Sequence, residues 1–532
     1  MRRRLFALII MVACAVPVHA ADRIAFGSFK TSDNATNWAA RVAQLMQADI
    51  DVVAIAKSGE TWYRVTSAAL DATAYADMER RANLSGIRYW RLRGEIDAVP
   101  VPGAARNPQA LARIRPAARA SEPPASHAPP ASGVASAVDA RAAISSLDLD
   151  LGLQARTYAE SGLDGQSRFQ PSFSASLDYY RRWDQGRQSL TFSPFVRLDG
   201  EDDERSHFDL RELYWSRVGN DWDLHLGVKQ VFWGVTEFKH LVDIVNQTDL
   251  VENIDGEDKL GQPMAHLSVI RDWGIVDLYL LVGFRERTFP GSDGRLRLSV
   301  PIDTDRASYA SAAGRNRIDA AIRWTHNIGP VEFGLSHFSG TSRDPELRAA
   351  LTPSGTLVLR PHYSVVDQTG LDVQAILGDW ALKVEAISNS GFGDRYNAIN
   401  FGFERTLVGI MGGRADLGVV AEYMFDDRND AAVTTLYEHD LALGTRWSLN
   451  DLADTQALLG VIWDVKTHEY VFKVEGSRRL GETWTLLLEG RIFGGAHEPD
   501  SGAPLRSLFD ADNKSASLQR DDFLQLELTR YF

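Results

Sequence analysis

The sequence predicts a mainly β chain: an antiparallel transmembrane β-barrel of about eighteen strands, preceded by a small α+β domain (βαββαβ) and a Pro/Ala-rich linker. Three observations carry this reading. From residue 146 onward, apolar and polar residues alternate with period two over segments of about ten to twelve residues. The connections between segments are alternately short and long, as barrel hairpins require. Ahead of them, a proline-free stretch over 22–94 gives way to one holding eight of the chain's 20 prolines between Pro100 and Pro130.

Residues 1–20 read as a secretory signal. Arg2, Arg3 and Arg4 form a basic start, Leu5 to Val16 an apolar run, and Val18-His19-Ala20 a small-residue cleavage site. Met11-Val12-Ala13-Cys14 also admits a lipobox reading. Removing the three arginines takes the formal charge from −14 to −17 and takes the only cysteine, Cys14. The mature chain then has no thiol chemistry. Its acidic balance argues against a nucleic-acid partner, which would call for concentrated positive charge. No apolar run of about 18 residues follows the signal, which excludes a helical span but not barrel strands, whose alternation hides from hydropathy averages.

Over 22–94, Ile24, Phe26 and Phe29 begin a strand, and Asp33 or Asn34 caps a helix carrying Trp38, Val42 and Leu45. Residues 51–56 return as a strand, Ser58-Gly59 turns into a third over 61–67, a second helix spans 72–83, and 88–93 closes the sheet. This order, with Gly27-Ser28-Phe29 and Trp62-Tyr63-Arg64-Val65, resembles a SPOR domain, a module that in its family binds septal peptidoglycan glycan strands stripped of stem peptides. The resemblance implies a periplasmic domain with Phe29, Trp62, Tyr63 and Arg64 as glycan-binding residues. It departs from the family at Ala25, where the family has Gln, and at Ser67-Ala68-Ala69, where it has Gly-Pro-Phe. The residues alone read equally as packing for a small core (Phe29, Trp62, Tyr63) and as a solvated edge charge (Arg64).

Residues 95–145 carry too little large apolar surface to offset chain entropy and form a linker. About forty such residues reach roughly 120 Å when extended.

Barrel segments start near 147, 169, 187, 205, 221, 262, 274, 316, 330, 363, 379, 394, 415, 438, 454, 468, 483 and 522, dividing 146–532 into eighteen strands. Sixteen remain if a hairpin near 262–286 or 394–425 is misread. Leu147, Leu149, Leu151 and Leu153 alternate with Asp148, Asp150 and Gln154; Trp484, Leu486, Leu488 and Ile492 oppose Thr485, Glu489 and Arg491. Eight of the ten tryptophans in this region fall beside the short turns, as an interfacial aromatic belt would. The last strand ends in Phe532 with Leu524, Leu526 and Leu528 in phase. Such a terminal aromatic strand resembles the signal read by the barrel-assembly machinery. The sequences GLDVQAILGDWALKVEAI (370–387), EYMFDDR (422–428) and HDLALGTRWSLNDLADTQALLG (439–460) resemble an uncharacterised family of proteobacterial outer-membrane β-barrel proteins, which implies architecture and no activity.

The inward phase places mixed charges in the lumen, among them Lys383, Glu385, Glu422, Arg446, Glu475, Glu489 and Arg491 as pore-lining candidates. They read either as a bracing cross-strand network or as a selectivity ring. In the connection 236–261, Phe238, Leu241, Val242, Ile244 and Val245 have helical spacing and precede the acidic run Asp249, Glu252, Asp255, Glu257 and Asp258. That pattern reads as an amphipathic helix folded into the pore or as a surface cap, and the acids lack a full calcium-loop pattern. Ser336-His337 with His326 offers the outline of an outer-membrane lipid hydrolase without a nucleophile motif, so no catalytic residue is named. Nothing calls for a cofactor or a metal.

The expectation is a porin-like barrel of the cell outer membrane, surrounded by outer-membrane lipids. Its periplasmic module would engage peptidoglycan glycan strands and link membrane to wall. A non-conducting membrane anchor is the alternative.

Overall fold

The structure is a computed structural model that describes residues 23–29, 39, 42–43, 48, 50–57, 60–68, 78, 90–92, 99–100 and 144–532, apart from 185, 430–432 and 434. The expected signal at 1–20 lies outside these residues, as do most positions of the two expected helices and the linker between 101 and 143. The chain divides into two units, Met1–Val134 and Ala135–Phe532.

In the first unit, Arg23–Phe29, Ile50–Lys57, Glu60–Ser67, Trp90–Leu92 and Val99–Pro100 form one sheet. Its spatial order is 90–92, 23–29, 60–67, 50–57, 99–100, with every pairing antiparallel. Ile24, Phe26, Val52 and Val65 are buried, together with the helical positions Ala39, Val42 and Met78. Pro100 sits on the outer strand, where its missing N–H costs the ladder nothing. The sheet therefore runs past residue 94, where the linker was expected to begin.

The second unit is a closed barrel of eighteen antiparallel strands. They are β1 (Ile144–Tyr158), β2 (Phe169–Trp183), β3 (Gln188–Asp199), β4 (His207–Val218), β5 (Trp222–Lys229) and β6 (Gln262–Arg271). Next come β7 (Gly274–Leu281), β8 (Asp319–Ile328), β9 (Val331–Thr341), β10 (Val365–Leu377), β11 (Trp380–Ser390) and β12 (Tyr396–Leu407). The last six are β13 (Asp416–Asp426), β14 (His439–Ser448), β15 (Gln456–Asp464), β16 (Tyr470–Leu480), β17 (Trp484–Gly494) and β18 (Phe523–Tyr531). Closure comes from β18 pairing with β1, Leu528 opposite Leu153 and Leu526 opposite Ala155.

Even-to-odd connections are two to eight residues long and all leave from one end; the segments 230–261, 282–318, 342–364 and 495–522 gather at the other. Outward side chains are apolar and exposed, among them Leu153, Phe173, Leu226, Leu280, Ile322, Leu335, Phe401, Leu443 and Leu524. Inward ones are polar and buried, including Gln154, Arg156, Asp319, Arg323, Asp372, Asn400 and Glu422. A wall apolar outside and polar inside inverts the soluble pattern and suits a barrel ringed by hydrocarbon. Trp222, Trp273 and Trp380 lie exposed at the short-turn end.

At Gly227 the β4–β5 pairing needs glycine: φ is +138°, and a Cβ there would run into the Leu213 carbonyl. Gly227→Ala is expected to lower the temperature at which the barrel loses its fast, unheated gel mobility. Gly476→Ala, where a Cβ would meet nothing closer than 3.6 Å, is expected to leave it unchanged.

Candidate functional site

The lumen is crossed by the β5–β6 connection, residues 230–261. Only Thr248, Asp249 and Lys259 within it make isolated ladder bridges, Thr248 with Lys259 and Asp249 with Thr288; the rest is irregular. Backbone of this kind inside a barrel must find partners for its N–H groups, and two glutamates on the wall supply them. Glu385 of β11 is fully buried. Its Oε1 accepts from the Val235 N–H (2.7 Å), the Thr236 N–H (3.0 Å) and the Thr236 hydroxyl (2.7 Å). Its Oε2 accepts from the Leu241 N–H (2.6 Å) and the Val242 N–H (3.2 Å). Glu422 of β13, also buried, accepts from the Glu237 N–H (2.6 Å) and the Phe238 N–H (3.0 Å).

These bonds explain why the helical spacing of 238–245 yields no helix. A helix would bind the 241 and 242 amides to its own carbonyls, whereas here charged acceptors take them. The apolar residues of the segment face two ways. Phe238 packs with Val420, Met424, Ala442 and Ile462, its ring seated on the cross-strand pair Gly444 and Gly460, where any Cβ would crowd it. Val242, Ile244 and Val245 join Trp233, Met264, Tyr279 and Phe338. Trp233 is thus inside, with its ring 5.6 Å from that of Tyr279.

The far half of the segment is held by charge. Arg197 of β3 and Glu252 form a buried pair at 2.8 Å, Arg205 donates to the Val251 carbonyl (2.8 Å), and Arg491 of β17 meets Asp255 at 2.8 Å. Asn253 donates to Glu489 (3.1 Å), and Arg343 donates to the Val245 carbonyl (2.8 Å). His240 lies 3.1 Å from Glu257 and 3.8 Å from Glu385. Burial disfavours its charge, but these carboxylates prevail and its pKa is pushed up to about 9. Within the acidic run, then, Asp255 and Glu257 face cationic side chains of the protein, Arg491 and His240.

Five of the seven residues expected to line the pore touch this segment: Glu385, Glu422, Glu489, Arg491 and Arg446, the last paired with Glu237 at 2.5 Å. Lys383 sits 3.5 Å from Glu404, which also faces Arg446 at 3.8 Å. Glu475 pairs with Lys473 at 3.1 Å. In the first unit, Phe29 pairs with Tyr63 in register and Ser28 with Arg64, whose side chain is half-buried; Trp62 lies opposite Ile55. The side chains of Phe29, Trp62 and Tyr63 lie outside the described set. Ser336 points inward and donates to the Gly370 carbonyl, while His337 points outward to Thr369, so the two occupy opposite faces of the wall.

Above the inserted segment, residues 282–318 reach across the mouth. Arg295 and Asp521 form a buried pair at 2.7 Å, the Leu296 N–H donates to Asp521 (2.9 Å), the Gly291 N–H donates to Asp202 (3.1 Å), and Arg297 pairs with Asp164. Between this lid and the segment lies a cavity of about 860 Å³, bordered by Lys239, His240, Asp243, Arg287, Arg343 and Tyr437. Neither the lid nor Arg197, Arg205 and Arg343, which help tie down the segment, were singled out from sequence. They sit in connections or on wall positions whose partners are far away along the chain.

No family model matches the chain, and no curated protein does. Solved structures similar to it include OccD3 (OpdP) of Pseudomonas aeruginosa, at 10% identity and a TM-score of 0.42 over 73% of this chain and 90% of that one. Another is Wzi of Escherichia coli, an outer-membrane protein involved in group 1 capsule assembly and a carbohydrate-binding β-barrel; it is 9% identical, with a TM-score of 0.44 over 73% and 84%. A BenF-like porin from Pseudomonas fluorescens is 10% identical, with a TM-score of 0.41 over 73% and 98%.

Glu385→Gln keeps the shape but turns an amide NH₂ toward N–H donors. Losing two charge-assisted bonds, at about 1.5–3 kcal/mol each, costs roughly 3 kcal/mol or more. Trypsin cleavage after Lys239 in the folded protein is therefore expected to speed up on the order of a hundredfold. Glu475→Gln, away from the segment, leaves the rate unchanged.

Proposed function

We propose that the chain is a porin-like barrel of the outer membrane that admits small polar solutes through a lumen narrowed by residues 230–261. The observation that carries this reading is the cavity of about 860 Å³ between that segment and the lid, lined by charged and polar side chains together with apolar ones such as Leu241, Ile244 and Phe289. It has the size and mixed charge of a solute compartment rather than of a packed core. The short-turn end then faces the periplasm, and the long connections face outward. Both barrel termini lie at the short-turn end, so residues 22–94 belong on the periplasmic side as well. In this reading they form a SPOR-like module that engages peptidoglycan glycan strands, with Phe29, Trp62, Tyr63 and Arg64 as its contact residues and the barrel as its membrane anchorage. The antiparallel sheet and the Gly27-Ser28-Phe29 and Trp62-Tyr63-Arg64 sequences support it.

A second reading, a barrel that anchors without conducting, is favoured by the ties that hold the lid and the segment across the lumen. Planar-bilayer recording separates the two. A passage predicts low conductance for the native chain and a severalfold rise on deleting 238–258. Silence from both, in preparations whose heat-modifiable mobility shows a folded barrel, leaves the anchor.

The module is tested by sedimentation of the full chain in detergent with amidase-treated peptidoglycan. The expected result is pelleting that falls on deletion of 22–94 and weakens with Arg64→Glu. Pelleting unaffected by the deletion removes the glycan role.

A further inference from the structure

Above the short-turn rim the outer wall is mainly apolar, with isolated polar positions such as Thr157 and His439 and one sector where polar positions gather. Across β8 to β12 the register aligns Ile322, His337, Thr369, Ser388 and Asn397 in one row and Ala320, Ser339, Asp367 and Ser390 in the next. All of these point outward, and His337, Thr369, Asp367 and Asn397 are exposed. His337 lies six residues from the short-turn end of β9 and Thr369 eight from that of β10. At about 2.5 Å of height per tilted residue, these positions stand roughly 15 and 20 Å up a band about 25 Å tall. Comparable depths on other strands carry Leu280, Leu441, Val461 and Leu524. Polar groups facing hydrocarbon without partners are unfavourable, and here they are gathered on four neighbouring strands.

Two further features adjoin them. On one side lies an outward-facing trough of about 500 Å³, bordered by Ala265, Leu267, Leu278, Leu280, Ala320 and Ile322 and reaching His337 and Ser339. The small residues Ala265 and Ala320 between leucines make the depression. On the other side, at the long-loop rim, the exposed Arg395 donates to Ser388 (3.2 Å) and Ser390 (3.1 Å), continuing the polar track to the surface. The Nδ1 of His337 lies 3.0 Å from the Thr369 hydroxyl, which leaves its other ring nitrogen toward the lipid side.

We propose that this sector binds a hydroxyacylated glycolipid of the outer leaflet, one acyl chain in the trough and a phosphate near Arg395. Asp367, His337 and Thr369 accept from and donate to the chain's hydroxyl and linkage oxygens. An ordinary diacyl phospholipid has no hydroxyl within the hydrocarbon layer to meet His337 and Thr369, whereas a hydroxyacyl chain has one. The inference rests on the outer-membrane reading of the barrel and adds the identity of one of its lipids.

The test is native mass spectrometry of the full chain after incubation with hexa-acyl lipid A or, separately, dioleoyl phosphatidylglycerol. The native protein is expected to retain one lipid A and no phosphatidylglycerol at matched concentration. A His337→Leu, Thr369→Val, Ser388→Ala variant is expected to retain at least fivefold less, and Arg395→Ala alone to lose part of the binding. None of these residues faces the lumen, so conductance and heat-modifiable mobility are expected to stay native; if the triple variant misfolds, Arg395→Ala carries the comparison. Equal retention by native and variant proteins overturns the proposal, as does phosphatidylglycerol held as strongly as lipid A, or a second protein copy in place of lipid. Release of fatty acid that Ser339→Ala abolishes also overturns it, by making the sector hydrolytic. A native chain that forms no heat-modifiable barrel in bilayers removes the membrane reading itself, an outcome visible before any lipid is added.

Discussion

A buried carboxylate that collects backbone N–H groups is the interaction on which the interior depends. Glu385 takes four amides and a hydroxyl from residues 235–242, and Glu422 takes two more. An ionised group buried in a polar wall needs either a counter-cation or several donors, and the inserted segment brings the donors. The segment in turn has amides that neither helix nor sheet satisfies. Wall and segment each cancel the cost the other would carry alone, which is why the charge of Glu385 and the irregular course of 235–242 make sense only together.

From that hinge the lumen divides into layers. Toward the short turns, Arg446, Glu237, Glu404 and Lys383 form a partly exposed charge cluster. The segment itself follows, then the cavity, then the lid. The two obstructions differ in how they are held. The segment is bound to strands around most of the circumference, from Arg197 on β3 to Arg491 on β17. The lid is held by Asp521, which meets both Arg295 and the Leu296 amide, and by ion pairs of Arg285 with Asp209, Arg287 with Asp344, Arg297 with Asp164 and Asp303 with Arg360.

Much of the barrel was legible in the sequence because two independent periodicities agree: side-chain alternation and the parity of connection lengths. All eighteen strand starts fall within three residues of the positions read from the pattern. The inward phase was legible for the same reason. What an inward residue touches was not. Glu385 and Glu475 look alike in sequence, yet one is sealed beneath a loop and the other is partly exposed beside Lys473. The helical spacing at 238–245 misleads because it arises from two separate packing sites, one for Phe238 and one for Val242 to Val245, which happen to lie about a turn apart. Conversely, His337 in Ser336-His337 invited a catalytic reading, when the alternation already set the two residues on opposite faces.

The position of the inserted segment along the chain has a consequence for how the molecule is made. Residues 230–261 leave the wall after the fifth strand, but Val235 is anchored 150 residues later and Asn253 236 residues later. Contacts of such long sequence separation form slowly, because a large loop must close before they reward it. Until β11, β13 and β17 stand in place, the segment has nothing to hold. Filling of the interior is therefore a late event, coupled to closure of the last strand on the first, and an unfinished barrel would present 230–261 as loose chain open to proteases.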